Sequence, residues 1–272
     1  MTKTIILIPS RLAAKRLPNK PLLKINGKSI INHVYEKAKS SKIGEVFVAT
    51  GDKEIYEEVT QQGGKCVLTK KEHQTGTDRI FEAYQKLQTK NIDYVINLQG
   101  DEPMIDVEDI KNLNTNAIKK NLGITTLACK INNKNILNKS NIVKVITDGK
   151  ISKEKITRAN SFSREVSSNN NSNIYHHIGI YIYKVSILEK FVNLKQGINE
   201  KNQKLEQLRA IDNNIEINVI LANSSPIGVE FAKITLISIL LSIALSCSNF
   251  CSISFLLCFK LTNFSNIETL YI

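Results

Sequence analysis

The sequence predicts an α/β fold: a mostly parallel, doubly wound sheet with a small inserted β-rich subdomain. Three observations lead there. Apolar runs at residues 5–8, 45–49, 65–68 and 93–98 alternate with stretches whose apolar residues recur at helical spacing. Past about residue 131 the alternation gives way to hairpin-like strands, beginning with NIVKVIT at 141–147 and the turn Asp148-Gly149. At 272 residues the chain can bury one large core with a subdomain.

The first strand, Ile5, Ile6, Leu7 and Ile8, has no polar face, which suits a central parallel strand covered on both sides. Pro9 and Pro18 interrupt regular structure, and Arg11, Lys15, Arg16 and Lys20 follow within a few residues. Arginine presents a planar pair of donors to phosphate oxygens and lysine a point charge. A basic loop at the carboxyl end of a parallel strand is therefore a candidate phosphate cradle. Charge alone fits a solvated surface loop equally well.

Lys24 to Lys28 reads as a turn, and Ile30, Ile31, Val34 and Ala38 then mark a helix. A strand at 45–49 ends in the polar turn Thr50-Gly51-Asp52. A helix through Ile55 and Val59 follows, stopped by Gly63-Gly64, and then a strand at 65–68. The polar loop EHQTGTDR at 72–79 has Gly76 at its middle and opens a helix through Ile80, Ala83, Tyr84 and Leu87, for which Thr77 reads as the cap. The strand at 93–98 runs into Gln99-Gly100-Asp101-Glu102-Pro103, which sets the Asp101 carboxylate facing the same crevice as the basic loop.

Farther along, 106–120 reads as a helix, 123–130 and 174–183 as strands, 167–173 as a low-complexity polar loop, and 200–210 as one helix. The β-rich subdomain is expected at about 131–185, where it would serve substrate binding or dimer contact.

The formal charge of +12 and pI near 9.4 would permit nucleic-acid binding. The lysines are dispersed among Asn and Ile, however, with no basic patch interleaved with aromatics, so no nucleic-acid partner is expected. The charge reads as compositional bias plus a need to bind an acidic substrate. Cys66 and Cys129 have no partner at metal-ligand spacing, which argues against a disulfide framework or zinc site. The first residues lack the apolar length and cleavage site of a signal peptide, so the expected location is cytoplasmic.

Six segments taken together resemble the 3-deoxy-manno-octulosonate cytidylyltransferases, or CMP-Kdo synthetases. They are Pro9-Ser10-Arg11 with Lys15-Arg16-Leu17-Pro18-Asn19-Lys20-Pro21; His73-Gln74-Thr75-Gly76-Thr77-Asp78-Arg79; Asn97-Leu98-Gln99-Gly100-Asp101-Glu102-Pro103; Phe162-Ser163-Arg164; His177-Ile178-Gly179-Ile180-Tyr181; and Leu205-Glu206-Gln207-Leu208-Arg209. The resemblance implies a nucleotidyltransferase of Rossmann-like, glycosyltransferase-A-like fold, with the enzymatic domain over residues 1–230. It implies transfer of CMP from CTP to Kdo with release of diphosphate, a step of lipopolysaccharide biosynthesis, with Mg2+ as cofactor and a homodimer as the usual assembly.

By the same resemblance, Arg11, Arg16 and Lys20 hold the triphosphate and, with Asp101, form the catalytic set. Thr75, Gly76, Thr77, Arg79 and Gln99 join them around CTP. Arg164, His177, Tyr181, Glu206 and Gln207 face the sugar acid, with Arg164 either on its carboxylate or on phosphate. Asp101 and Glu230 bind the metal. Alternatives are a relative acting on another sugar acid, or an inactive remnant that binds CTP without turnover.

The remnant reading is motivated by the terminus. The family pattern places an aspartate followed by threonine where this chain has Glu230 and Phe231. From Ile234 through Phe259 no charged residue occurs, a run long enough to cross a bilayer. Residues 231–272 are thus read as the product of an altered reading frame, a membrane anchor, or a divergent terminus packed on the body. Membrane contact is expected only if the tail is a genuine anchor.

Overall fold

A computed structural model describes residues 2–13, 18–87, 91–132, 136–166 and 173–223. Lys15, Arg16, Glu230, most of the low-complexity loop and the three readings of the 231–272 tail lie outside the described residues.

The central strand β1 (Thr4–Ser10) is buried along its whole length. Its side chains alternate between two cores, as the two-residue period of a strand requires. Ile6 and Ile8 enter one core with residues of α1 (Ile30–Ser40), α2 (Lys53–Gln61) and α4 (Val107–Lys119). Ile5 and Leu7 enter the other, with residues of α3 (Gly76–Leu87), α5 (Val185–Val192) and α7 (Leu208–Asp212). This is the doubly wound arrangement, and it explains why β1 reads as an unbroken apolar run.

The parallel half of the sheet comprises β4 (Val46–Thr50), β5 (Cys66–Leu68) and β6 (Tyr94–Leu98) with β1, in the order β5-β4-β1-β6. Short strands β2 (Lys24–Ile25) and β3 (Lys28–Ser29) flank a turn at Asn26 and Gly27, both at positive φ. Helix α2 ends as its two glycines suggest: Gly63 N–H donates to Thr60 O and Gly64 N–H to Val59 O, each at 2.9 Å.

Next to β6 the sheet becomes mixed. Strand β10 (Ile174–Lys184) enters antiparallel between β6 and β7 (Ile124–Cys129). Its first residues also pair with β8 (Lys144–Thr147), which pairs with β9 (Thr157–Ser163). Strand β11 (Ile217–Leu221) joins β9 to β7. The order β10, β7, β11, β9, β8 and back to β10 closes a ring of strands. An irregularity between Ile178 and Tyr181 lets one strand serve both the open sheet and the ring. The antiparallel strands are thus continuous with the main sheet.

One expected element is corrected. Residues 200–210 do not form a single helix but α6 (Ile198–Gln203) and α7, separated at Lys204, whose φ is 53°. On one continuous helix Glu200 and Arg209 would point roughly 180° apart. The break lets their side chains meet and buries Leu205 and Leu208 in the same core. Strands β9 and β11 and helix α5 are additional to the elements expected from the sequence.

Candidate active site

The register sets Ser10 of β1 beside Thr50 of β4, and Leu7 of β1 beside Asn97 of β6, so the three strands end along one edge. Beyond that edge lie Arg11 and Lys20 at the described ends of the basic loop, the Thr50-Gly51-Asp52 turn and the Gln99-to-Pro103 loop. Asp52 accepts a 2.9 Å bond from Leu12 N–H, which fixes the start of the basic loop. Lys20 extends Nζ to 3.0 Å from Asp101 Oδ2. Arg11 is exposed at the strand end, and Arg16 lies outside the described residues. A Cβ on Gly100 would come within 3.0 Å of Pro9 O and 3.2 Å of Ile31 Cδ1, so the ends of β1 and β6 touch through backbone.

The second wall is the loop before α3 and that helix's first turn. Thr75, not Thr77, is the cap: its Oγ1 accepts from Asp78 N–H at 3.1 Å and donates to Asp78 Oδ2 at 2.7 Å. A threonine at Thr77 is already inside the helix, where it is buried and accepts a 3.3 Å bond from Asn97 Nδ2. Asn97 Oδ1 in turn accepts from Gln99 Nε2 at 3.1 Å, so Thr77 and Gln99 are joined through Asn97. A Cβ on Gly76 would lie 3.3 Å from Pro9 Cγ and 3.5 Å from Gln99 Nε2, bringing this turn against both strand ends.

Arg79 faces back into its own loop. Its guanidinium donates to Thr69 Oγ1 at 2.6 Å, Lys70 O at 3.0 Å and Lys71 O at 3.3 Å, and the residue is 3% exposed. Glu82 grips the same loop from the next turn of α3, accepting Lys70 N–H and pairing with His73 Nε2. The loop is clamped from two sides.

Beside this wall opens a cavity of about 480 Å³. Gln74, Thr75 and Gly76 line one side, and Glu200, Lys201, Lys204 and Glu206 line the other. Burial pushes the Glu206 carboxyl up to about 7, against the opposing pull of the Thr77 and Thr75 hydroxyls. Glu200 is held by Arg209 in a buried two-point pair, Nε to Oε2 at 2.9 Å and Nη2 to Oε1 at 2.6 Å.

The other residues expected to face the sugar acid do not line this cavity. His177 is packed edge-on to Phe162 and against Tyr181. Burial pushes its imidazole down to about 3, with His176 adding repulsion. The Thr126 hydroxyl donates to Ile180 O at 2.7 Å, so His177 Nε2, 3.1 Å away, acts as the donor to Thr126. Burial raises the Tyr181 phenol well above its ordinary value; it stacks on Tyr183 and feels the charge of Glu206. His177 and Tyr181 therefore form a layer leading toward Glu206. Arg164 donates to Ser140 O at 3.1 Å, and Gln207 precedes α7 as its N-cap.

Several residues of the site escape the motif reading: Asp52, Glu82, Gln196, Lys201 and Lys204. For Asp52 the signal was available, since it sits in the turn directly after β4, at the same sheet edge as Asp101. The others emerge only from packing between distant segments. Among the described residues no group of three or more His, Cys, Asp or Glu side chains gathers as a metal site.

The cytidylyltransferase family profile matches residues 5–217. A 3-deoxy-manno-octulosonate cytidylyltransferase of Rhodopseudomonas palustris strain BisB5 is 42% identical over 228 residues, covering 84% of this chain and 92% of that protein. The protein of the same name from Paramagnetospirillum magneticum is 37% identical over 227 residues, covering 83% and 92%. Among solved structures, a CMP:2-keto-3-deoxy-manno-octonic acid synthetase complexed with CTP aligns with a TM-score of 0.76 and 32% identity, over 89% of this chain and all of that one. The 4-diphosphocytidyl-2C-methyl-D-erythritol synthase of Anaerococcus prevotii, 12% identical with a TM-score of 0.59, shares the fold. On the extent of these matches, the chain belongs to the cytidylyltransferase family.

Proposed function

We propose that this protein transfers CMP from CTP to 3-deoxy-D-manno-octulosonate, giving CMP-Kdo and diphosphate. The observation that carries the reading is one crevice at the carboxyl edge of β1 and β6. Arg11 and Lys20, Asp101, the capped start of α3 and the Glu206 cavity meet there. The named relatives of similar length support the same chemistry.

In the reaction the anomeric hydroxyl of the sugar acid gives up its proton to solvent and its oxygen bonds to the α-phosphorus. The bond from that phosphorus to the bridging oxygen of the β-phosphate breaks, and diphosphate leaves. Lys20 and Arg11 bind and orient the triphosphate, a role Arg16 would share, and their charge offsets the negative charge building on the leaving group. Thr75, Gly76, Thr77 and Gln99 form the nucleoside side, with Gly76 allowing close approach of backbone. Arg79 supports that side from behind by fixing its loop. Glu206 can hydrogen-bond a sugar hydroxyl as donor or acceptor near neutral pH, while His177 and Tyr181 brace its surroundings. Gln207 and Arg164 are carried to the sugar side by the motif resemblance alone, since neither lines the Glu206 cavity.

The donor set fits magnesium. Asp101 is one half-exposed carboxylate beside a phosphate-binding lysine, and magnesium favours one or two carboxylates with phosphate oxygens and water over a closed protein cage. When bound, the ion would neutralise phosphate charge, with Asp101 as ligand and Glu230 as a second ligand outside the described residues.

The test is diphosphate release by purified protein from CTP, Mg2+ and Kdo, with product identified by mass. Release with Kdo and not with neighbouring sugar acids is expected. Turnover of a different sugar acid in its place would transfer the assignment to that substrate.

A further inference from the structure

We propose that Lys204, assisted by Lys201, receives the carboxylate of the sugar-acid substrate and so sets the site's preference for an acid. The inference rests on the reading of the Glu206 cavity as the sugar-acid pocket, and it assigns that pocket's anion contact.

The first observation is conformational. Seven non-glycine residues among those described have positive φ: Asn19, Asn26, Lys42, Asn91, Asn121, Lys204 and Asn214. Asparagine tolerates this region better than other L residues, and this chain uses it at five of the seven positions. Lysine at 204 departs from the chain's own habit, at a steric cost that Gly or Asn would reduce. Lys42 departs likewise, so strain alone does not assign a role.

The second observation separates the two lysines. Lys204 lines the cavity, together with Lys201 one helical turn earlier. Neither makes an ion pair among the described residues. The other charges of the lining do not neutralise them. Glu200 is closed by Arg209, and Glu206, its carboxyl pushed up to about 7 by burial, carries only part of a charge near neutral pH against the two ammonium groups. The cavity therefore presents positive charge together with the amides of Gln74 and Gln196 and the hydroxyl of Thr75. A polyhydroxylated carboxylate matches that set, with ammonium for its carboxylate and amides and hydroxyl for its alcohols. Arg164, the cation the motifs suggest for the carboxylate, is turned to Ser140 O and is not part of the lining.

The break at Lys204 supplies a mutation that spares the backbone. Lys204→Gly removes the ammonium and suits φ of 53°, and Lys204→Asn serves as a second neutral variant. Expected for both are a Tm equal to or above that of wild type, a KM for Kdo and a calorimetric Kd for Kdo raised about tenfold, and KM for CTP and kcat within about twofold. The C1 carboxamide of Kdo provides the control: wild type should disfavour it relative to the acid, and the variants should lose about tenfold of that discrimination.

Kdo affinity in Lys204→Gly and Lys204→Asn equal to wild type overturns the proposal while leaving the pocket reading intact. Equal losses for acid and carboxamide also overturn it, since they mark a structural role. Wild-type protein that binds no Kdo overturns the pocket reading and this proposal with it.

Discussion

Lys20 and Asp101, 81 positions apart in sequence, meet across the mouth of the crevice with Nζ 3.0 Å from Oδ2. Asp101 is about half exposed, so the pair contributes little to stability, on the order of 1 kcal/mol or less. On the proposed reaction, what this placement serves is the triphosphate and its metal rather than the fold. Asp101→Asn is expected to lower turnover of CTP and Kdo at least about 100-fold, with a urea midpoint close to wild type. Diphosphate release and equilibrium unfolding check the two halves of the statement.

Glu200 and Arg209 make the opposite case. Their side chains are 5% and 3% exposed, and both bonds are short. Arg209→Ala strands a buried carboxylate and is expected to cost about 3–5 kcal/mol. Replacing both partners with apolar residues of similar volume should recover much of that loss. Urea titration of the single and double variants decides it.

A Cβ at Gly100 would stand 3.0 Å from Pro9 O and 3.2 Å from Ile31 Cδ1, tighter than an ordinary contact, so its neighbours must give way. Gly100→Ala must push β1 and β6 apart at their carboxyl ends, at about 1–3 kcal/mol. Because Asp101 follows directly, kcat should fall as well as stability, whereas Lys204→Gly should leave kcat near wild type. Parallel kinetics and thermal unfolding distinguish them.

Glu206 gives a pH dependence. Its carboxyl titrates near 4.3 in an unfolded chain and near 7 in the fold, where burial disfavours charge. Between those values the native state holds more protons than the unfolded state. This residue's contribution to stability is therefore complete below the unfolded pKa and is lost as pH rises through 7. Glu206→Gln should gain Tm relative to wild type from about pH 4.5 to 7 and hold a constant difference above it. A flat difference across that range would contradict the burial-driven shift.

How much was legible in advance depends on the range of the interaction. Ile5 to Ile8 announced a strand covered on both faces because every position was apolar, and both cores receive it. Strand β9 hid because only Thr157, Ala159 and Phe162 of its seven residues are buried, and Phe162 falls out of phase with the other two, so no two-residue period registers. The 200–210 segment has helical composition throughout, and its break serves a partner nine residues away that local propensity does not sense. Arg79 belongs to a motif, but a motif does not say which way a guanidinium turns. Its direction is set by the carbonyls of Lys70 and Lys71.

The closed ring through β10 has a consequence for how the molecule can come apart. This strand pairs with β6, β7 and β8, so neither the parallel half nor the ring can release it alone. Its amide protons should be among the slowest in the molecule to exchange with solvent, opening only when the whole body opens. Because its partners come from segments distant in sequence, completing β10 closes large loops, and that step should govern the rate at which the body folds.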